Sequence, residues 1–261
     1  MDLLKIPGRD ILISLIHATN EFIPGPELTP AQKNQVKIIA HRGAVSKKNP
    51  ENTIASFQQA VELKVDGIEL DLHLSRDEHI VIQHDHNLKR IFGSHHAIND
   101  LPLLQLKEKA PELPTLAELL AFVPPKLLLF LEIKKQTDPS LDRKLANQLI
   151  NQLDRSERPV FIISLHPELL LNFPVSTHYK RIPIFPRFSE PQIQWTLDNK
   201  MDGIFGYYWF YSADLVNLAK SKDLMTGCGM INGVNLGKRF ISRGFDILFT
   251  DRADRLMPLV R

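Results

Sequence analysis

Two histidines and two closely spaced carboxylates form the part of the sequence best suited to chemistry. His41 and His84 each follow a short apolar run, and Glu69 and Asp71 lie two residues apart in another apolar run. Side chains two apart in a strand point to the same face, so these carboxylates are predicted to project together. Adjacent carboxylates repel each other unless a positive charge lies between them, and Mg²⁺ and Ca²⁺ prefer oxygen ligands. With the neighbouring Arg42, this set indicates phosphate ester chemistry at a metal ion.

A second pair of charged residues follows the same spacing in a later apolar run. Glu132 and Lys134 lie two apart in LLLFLEIKK, so they also share one face of the predicted strand. These strands are too apolar to lie at a sheet edge, which favours metal ligation by the carboxylates over an incidental ion pair. His73, two residues from Asp71, either faces the site or supports it structurally, and the second interpretation is favoured.

Bulk composition excludes several classes of protein. A length of 261 residues fits one large domain or two small ones, and a single α/β barrel of usual size fits it well. A hydrophobic fraction of 43% and a charged fraction of 24% are ordinary for a globular protein, and a net charge of +2 gives no reason to expect a nucleic-acid partner. The single cysteine excludes an intrachain disulfide, which fits a reducing compartment.

The first 36 residues are interpreted as an N-terminal extension before a barrel domain of residues 37–261. The apolar patch at 11–16 is too short for a signal-peptide core or a membrane span, and no basic region precedes it. A cytoplasmic protein without stable membrane insertion is therefore expected. The extension is expected to pack across the barrel as a plug, and the oligomeric state is left open.

Strand-like and helix-like segments alternate along the chain. Near-continuous apolar runs, typical of strands covered on both faces, occur at residues 37–41, 67–75, 80–84, 127–134, 160–164, 180–185, 203–206, 224–230 and 246–250. Helical patterns lie between them at residues 53–63, 115–122, 139–153, 167–172, 190–199, 212–221 and 233–243. This alternation predicts a parallel sheet closed into a (β/α)₈ barrel. Residues 86–114 form a long connection without a strong period, expected to lie over the barrel mouth.

The candidate chemical residues all fall at or near predicted strand ends, where the active sites of such barrels lie. His41 ends the first strand and His84 ends the third. A single rim is therefore predicted to collect residues that are far apart in sequence. The aromatic run at 206–211 follows another strand and either lines a pocket or packs against the barrel.

These residues resemble the glycerophosphodiester phosphodiesterase family over about residues 37–254. Each motif alone is weak, but their joint order and spacing are specific. The matching motifs are His41-Arg42-Gly43, Pro50-Glu51-Asn52-Thr53, Glu69-x-Asp71, His84-Asp85, Leu113-Pro114-Thr115-Leu116-x-Glu118, Glu132-x-Lys134 and Thr250-Asp251.

The resemblance implies a (β/α)₈ barrel of the TIM type, similar in plan to phosphatidylinositol-specific phospholipases C. It implies hydrolysis of small glycerophosphodiesters, such as glycerophosphocholine or glycerophosphoethanolamine, to sn-glycerol 3-phosphate and an alcohol. A divalent cation, Ca²⁺ or Mg²⁺, is the implied cofactor. Carried over by position, the implied roles are: metal ligands Glu69, Asp71 and Glu132; general acid and base His41 and His84; phosphate-binding Arg42 and Lys134; a metal- or glycerol-proximal Glu51; and Asp85 orienting His84 or shaping its turn.

Two departures from the family pattern leave other functions open. Residues 224–232 match a segment that usually carries a tryptophan on the glycerol side of the pocket, and no tryptophan is present here, although Asn232 matches. Ala253 stands near where a proline commonly follows the Thr-Asp pair. The alternatives are a lysophospholipase D-like enzyme at a membrane surface, which the patch at 11–16 favours, and a non-catalytic binding protein on the same scaffold.

Overall fold

The architecture is a closed barrel of parallel strands. The structure is a computed structural model that describes residues 21–153 and 157–261. Its strands are β1 (Lys37–His41), β2 (Gly67–Leu74), β3 (Ile80–Ile82), β4 (Leu128–Ile133), β5 (Val160–Ser164), β6 (Tyr179–Phe185), β7 (Gly203–Tyr207), β8 (Met225–Gly229) and β9 (Ile247–Thr250). They follow the order β1-β9-β8-β7-β6-β5-β4-β2-β3, and a further β1–β2 pairing closes the ring. The predicted (β/α)₈ barrel is confirmed.

One strand departs from the predicted all-parallel arrangement. β3 pairs antiparallel with the end of β2, with Leu72 opposite Ile82 and Leu74 opposite Ile80. The other eight strands form the parallel barrel, and β3 is a hairpin extension of β2. The strand predicted at 80–84 also ends earlier, at Ile82, so His84 does not lie at the end of a barrel strand.

Helices surround the strands. Those in the described residues are α1 (Pro30–Gln35), α2 (Ile54–Glu62), α3 (Lys89–Phe92), α4 (Leu103–Lys109), α5 (Leu116–Phe122), α6 (Pro139–Leu153), α7 (Glu190–Asp198), α8 (Ala213–Lys220), α9 (Val234–Ser242) and α10 (Ala253–Val260), with 3₁₀ turns at Ile98–Asp100, Pro167–Asn172 and Tyr208–Phe210. The segment predicted as a helix at 167–172 is one of these 3₁₀ turns, and α1, α3, α4 and α10 were not predicted. No helix in the described ranges is both long and apolar enough to cross a bilayer.

The barrel interior is filled by aromatic and branched side chains. Phe130 stacks on Phe161 at 4.5 Å between ring centroids and meets Phe249 edge-on at 5.2 Å. A larger apolar layer separates the strands from the outer helices. The side chains of β2 alternate between this outer layer and the barrel interior. Leu70 belongs to the outer layer, while Glu69 and Asp71 point inward.

Three aspartates fix neighbouring strands at the amino-terminal end of the barrel, opposite the end where the strands finish. Each lies just before a strand, and each carboxylate accepts a backbone N–H bond from the adjacent strand region: Asp66 from Ile38 at 2.9 Å, Asp202 from Arg181 at 2.8 Å, and Asp246 from Thr226 at 2.9 Å. A bond to a charged acceptor is stronger than a neutral one. These contacts therefore hold the register of the strands that carry the site.

The long connection at 86–114 is more ordered than its sequence predicted. It contains α3 and α4 and packs around its own small apolar core, which includes Leu88, Leu106 and Leu113. Because this core also takes Val81 from β3, the connection and the hairpin form one packed unit beside the barrel.

The described part of the extension runs along the outside of the barrel. The Glu21 carboxylate accepts the backbone N–H of Val234 at 3.0 Å, at the start of α9, and Gly25 donates to Asn235 at 3.1 Å. α1 then contacts α9 and α10 before β1 begins. This stretch lies against outer helices rather than across the barrel, and the apolar patch at 11–16 lies outside the described residues.

Candidate active site

Three carboxylates meet inside the barrel, as the sequence spacing predicted. Glu69 and Asp71 project from β2, and Glu132 lies on β4 directly opposite Asp71 in the strand register. One oxygen from each lies within 4.8 Å of the other two. All three side chains are buried, with exposures of 2%, 0% and 7%. Ligands from two neighbouring strands therefore form one acidic triad.

Burial and mutual repulsion make this triad electrostatically costly without a cation. Burial, reinforced by the charge of Asp71, raises the pKa of Glu69 to about 8. Burial likewise raises the pKa of Glu132. For Asp71 burial acts in the same direction, but the positive charges of Lys134 and Arg42 outweigh it and lower the pKa.

Lys134 supplies the nearest positive charge. Its Nζ lies 2.8 Å from Asp71 Oδ1 and 2.6 Å from Glu132 Oε1. Burial would lower the pKa of this ammonium, yet the two carboxylate charges outweigh burial and raise it. Lys134 therefore stays charged and faces the triad, as its alternation with Glu132 predicted.

The donor set fits a divalent cation. Glu69 Oε1 is buried and has no hydrogen-bond partner among the described residues, although buried polar atoms are nearly always paired. The three converging groups are all carboxylates, the ligands that Ca²⁺ and Mg²⁺ prefer. Glu69, Asp71 and Glu132 could therefore hold a metal ion.

His41 lies at the end of β1, level with Glu69 in the register. Its Nδ1 lies 2.8 Å from Asp251 Oδ1, and its Nε2 lies 3.8 Å from Glu69 Oε2. Asn232 donates from Nδ2 to the other Asp251 oxygen at 2.9 Å. Burial alone would lower the pKa of His41, but the charge of Glu69 and the bond to Asp251 raise it. The imidazole is thus held in one orientation with Nε2 towards the triad.

His84 reaches the site by a different route from the one predicted. The hairpin turns the chain back along β2, where Gln83 donates its backbone N–H to the carbonyl of Asp71 at 3.0 Å. His84 Nδ1 then lies 2.8 Å from Asp85 Oδ1, so Asp85 orients this ring as Asp251 orients His41. Burial and the charge of Lys134 lower the pKa of His84.

His73 supports His84 from behind. Its Nε2 lies 3.2 Å from the His84 carbonyl, and the Gln136 amide lies 3.5 Å from its Nδ1. Burial lowers the pKa of His73 to about 4, so the ring is neutral and can donate one N–H to that carbonyl. This arrangement agrees with the favoured structural interpretation.

The turn after β1 places Arg42 and explains the glycine that follows it. Arg42 has φ 56° and donates its backbone N–H to Glu69 at 3.0 Å. Gly43 has φ 84°, and a Cβ there would lie 2.5 Å from the Ser56 hydroxyl. The Arg42 guanidinium bonds Glu51 at 2.8 Å and lies 3.3 Å from Asp71. The turn therefore requires glycine and aims one cation at the triad.

The Pro-Glu-Asn-Thr segment contributes one residue to helix capping and others to the site. Thr53 caps α2 in a capping box with Ser56. Asn52 instead donates from Nδ2 to Asp71 at 2.7 Å. Glu51 binds Arg42 and also Arg90, whose NH1 and NH2 both lie 2.8 Å from its oxygens.

Four contributing residues were not assigned these roles from sequence. Asp251, Asn232 and Asn52 were noticed only as motif positions, and Arg90 not at all. Arg90 donates from Nε to Asp85 at 2.8 Å and also holds Glu51, so it joins the segment carrying Arg42 to the turn carrying His84. It lies in the aperiodic connection, where the sequence offers no positional signal.

Two pockets flank the acidic triad. The apolar pocket contains His41 and is walled by Ile163, Ile184, Tyr207, Met230 and other apolar residues. The basic pocket contains His84, Lys134 and Lys135. Both reach Glu132 and Leu165, so a ligand centred on the triad has room on either side. Of the aromatic run, Tyr207 lines a pocket whereas Tyr208 and Tyr211 pack in the outer core.

Comparison with known proteins points to a single family. The sequence profile described as the glycerophosphoryl diester phosphodiesterase family matches residues 41–255. A glycerophosphodiester phosphodiesterase from Caldanaerobacter subterraneus is 29% identical over 241 residues, covering 86% of this chain and 97% of that protein. A lysophospholipase D from Homo sapiens is 44% identical over 84 residues, but the match covers only 31% of this chain and 26% of that protein.

Solved structures share the fold. A glycerophosphodiester phosphodiesterase from Thermotoga maritima superposes with a TM-score of 0.75 at 24% identity, covering 86% of this chain and 98% of that one. A phosphodiesterase from Oleispira antarctica, solved with its product sn-glycerol-3-phosphate, gives a TM-score of 0.78 at 23% identity, covering 86% of this chain and 96% of that one.

Proposed function

This chain belongs to the glycerophosphoryl diester phosphodiesterase family of phosphoric diester hydrolases, and we propose that it cleaves glycerophosphodiesters to sn-glycerol 3-phosphate and an alcohol with the help of a divalent cation. The observation that carries the proposal is the buried triad of Glu69, Asp71 and Glu132 beside two histidines, each hydrogen-bonded to its own carboxylate. The structure of the Oleispira antarctica phosphodiesterase in complex with the product sn-glycerol-3-phosphate agrees with it.

The cation would be held by Glu69, Asp71 and Glu132. Bound there, Ca²⁺ or Mg²⁺ would supply Lewis-acid neutralisation of phosphate charge. The opposite charges needed to hold the phosphate are present on this chain. Lys134 and Arg42 lie within 3.3 Å of Asp71, close enough for both cations to exchange a carboxylate contact for a phosphoryl oxygen and to stabilise its charge as the reaction proceeds.

The two histidines act as a general acid and base. One takes a proton from the nucleophile and the other protonates the leaving alcohol oxygen, because an alkoxide leaves poorly. Asp251 and Asp85 each occupy the Nδ1 side of one ring, so the Nε2 atoms are the ones that exchange protons with substrate. The nucleophile is either the neighbouring glycerol hydroxyl, giving a cyclic phosphate that water opens, or water itself.

Glu51 belongs to the substrate-binding part of the proposal. It lies beside the triad but is bonded to two guanidinium groups, those of Arg42 and Arg90. Burial would raise the pKa of Glu51, but the bonds from Arg90 and the charge of Arg42 lower it. Its charge therefore fixes the Arg42 side chain in position to meet a phosphate.

The test is release of sn-glycerol 3-phosphate from glycerophosphocholine and glycerophosphoethanolamine, with Ca²⁺, with Mg²⁺ and with chelator. Glu69→Gln keeps the side-chain shape but removes a ligand charge. We expect it to abolish both the metal-dependent release of sn-glycerol 3-phosphate and the metal binding that calorimetry measures. The matched control is Glu112→Gln, which changes an exposed glutamate. His41→Asn and His84→Asn are expected to lose about 10²–10⁴-fold in kcat while still binding metal. Release unaffected by chelator and by Glu69→Gln would refute the cation's role.

A second candidate is hydrolysis of lysophospholipids at a lipid surface. The apolar pocket beside His41, walled by Ile184, Tyr207 and Met230, favours it because an acyl chain needs apolar surroundings. Parallel assays with lysophosphatidylcholine distinguish the candidates, since faster choline release from it than from glycerophosphocholine would favour the second. A third, a non-catalytic binding protein, predicts metal binding without turnover of either substrate.

The remaining assignments extend the same proposal. Residues 1–36 are proposed as an N-terminal extension and residues 37–261 as the catalytic domain. The chain is proposed to act in the cytoplasm on small diesters, without stable membrane insertion and without nucleic acid. Its one cysteine, Cys228, is buried and unpaired, which is compatible with a reducing compartment.

A further inference from the structure

The two pockets beside the triad differ in both size and chemistry. The apolar pocket is the smaller of the two, with about 470 Å³ of empty space including open solvent, against about 760 Å³ for the basic pocket. A diester bound with its phosphorus at the triad extends one ester arm to each side. The glycerol arm is constant and small, so it suits the narrower pocket. The larger basic pocket is then left for the variable alcohol arm.

The acids that line the basic pocket are already neutralised. Asp85 is bonded to His84 and to Arg90 at 2.8 Å. Glu132 lies 2.6 Å from Lys134. A further carboxylate, that of Glu168, lies 3.5 Å from the ring of His166 and is not part of the lining. Among the described residues that line the pocket, each carboxylate therefore already has a cationic partner.

One lysine in the lining has no such partner. Lys135 is exposed and makes no ion pair within 4.0 Å among the described residues. The same lining includes Lys134, the imidazoles of His86 and His166 and the amide of Asn87. These side chains can donate hydrogen bonds to oxygen atoms, so the pocket combines positive charge with donors.

The lining also lacks the usual binding site for a quaternary ammonium group. Such cations are recognised by the faces of tryptophan, tyrosine or phenylalanine, and none of these borders the basic pocket in the described parts of the chain. A choline or ethanolamine arm would meet Lys135 without a carboxylate or an aromatic face to compensate.

On the basis of the proposed function, we propose that the basic pocket takes a hydroxylated alcohol arm bearing an anionic group, and that Lys135 is a specificity-determining residue for it. The hydroxyl groups would bond the imidazoles and Asn87, and the anion would pair with Lys135. Cationic arms would be disfavoured.

Three substrates of one reaction test this charge preference. Glycerophosphoinositol 4-phosphate has an anionic arm, glycerophosphoinositol has the same ring without that charge, and glycerophosphocholine has a cationic arm. We expect kcat/KM to fall in that order, with roughly a 2- to 5-fold step for the added phosphate, as one solvent-exposed charge pair allows. The step should shrink in 0.5 M KCl because salt screens exposed charges.

Charge reversal at the two ends of one strand provides the matched pair of variants. Lys135→Glu, just after β4, should remove or invert the step, and Lys135→Gln should reduce it. Lys126→Glu, an exposed lysine just before β4, makes the same charge change at the other end of the barrel and should leave the step intact. Circular dichroism of each variant checks that the fold is retained.

The outcomes separate this inference from the function on which it rests. Equal rates, or a preference for glycerophosphocholine, would overturn the charge preference and leave the hydrolase function standing. A preference that survives Lys135→Glu unchanged would overturn the role of Lys135. No turnover of any of the three substrates with Ca²⁺ or Mg²⁺ would overturn the proposed function and the inference together.

Discussion

Replacing Asp251 by asparagine tests whether the carboxylate behind His41 assists catalysis or only fills space. Asp251 Oδ1 lies 2.8 Å from His41 Nδ1, and its other oxygen accepts a bond from Asn232 at 2.9 Å. Asparagine preserves the shape but removes the negative charge that favours the protonated imidazole. Folding should therefore be little affected while proton transfer becomes slower.

The size of the effect follows from the contact. A hydrogen bond to a charged group is worth about 1.5–3 kcal/mol, and the Asp251 side chain is 42% exposed, so the lower part of that range applies. At 1.36 kcal/mol per tenfold in rate, the expected loss in kcat is roughly 10- to 30-fold. KM should change little, because the lost contact is to the His41 ring and not to the bound substrate.

The pH dependence gives an independent readout. Burial lowers the pKa of His41, and the charges of Glu69 and Asp251 raise it above its ordinary value. Removing the Asp251 charge therefore lowers that pKa, so the limb of the pH–rate profile governed by His41 moves to lower pH. The direction is the same whether His41 acts as acid or as base.

The assay is steady-state release of sn-glycerol 3-phosphate across pH, with Asp254→Asn as the control. Asp254 is an exposed aspartate that pairs with Arg252 at 2.7 Å and lies near Asp251 in sequence. An Asp251→Asn enzyme with unchanged kcat and an unshifted pH limb would show that the carboxylate contributes nothing beyond packing.

Three further changes have expected outcomes. Arg90→Gln should lower kcat/KM by about 3- to 10-fold, since four partly exposed hydrogen bonds disappear. Arg90→Lys should restore part of that loss. Equal activity of the unaltered protein and both variants would contradict a role for Arg90 in joining the Glu51 segment to the His84 turn. Asp246→Ala removes two hydrogen bonds to Thr226. It should lower the free energy of unfolding by about 1–3 kcal/mol, seen as a lower Tm in calorimetry with kcat unchanged. An unaltered Tm would refute the stabilising role of this aspartate. His73→Leu should lower kcat, while His73→Gln, which keeps a donor for the His84 carbonyl, should lower it less; identical losses would argue for packing alone.

The acidic triad was predictable because its signal is local. Glu69 and Asp71 lie two apart in a strand, and a period of two fixes which face they share. Glu132 and Lys134 repeat the pattern on the neighbouring strand. Closure of the barrel needed no long-range information either, since the alternation of strands and helices leaves few other topologies. The coordinates place these four side chains together as that pattern predicted.

The partner of His41 and the link made by Arg90 were harder to predict because these contacts are non-local. Asp251 lies 210 residues from His41 in sequence, and Arg90 lies 39 residues from Glu51. No periodicity relates such positions. The short helices of the 86–114 connection were missed for a related reason, since they are stabilised by a small core shared with β3 rather than by a helical pattern of their own.

His84 lies close to the acidic triad, but it does so without ending a barrel strand. In a parallel barrel the strand ends form a ring, and His41 and the triad occupy β1, β2 and β4 of that ring. The second imidazole, that of His84, follows β3, which adds to the end of β2 beyond the ring and returns antiparallel. That return brings Gln83 against the Asp71 backbone at 3.0 Å, level with a metal-binding candidate. His84 follows the last residue of β3 by two positions, so its place depends on where the hairpin returns and not on the end of a barrel strand. The second histidine therefore depends on the hairpin and on its packing against that connection, whereas the first depends only on the barrel.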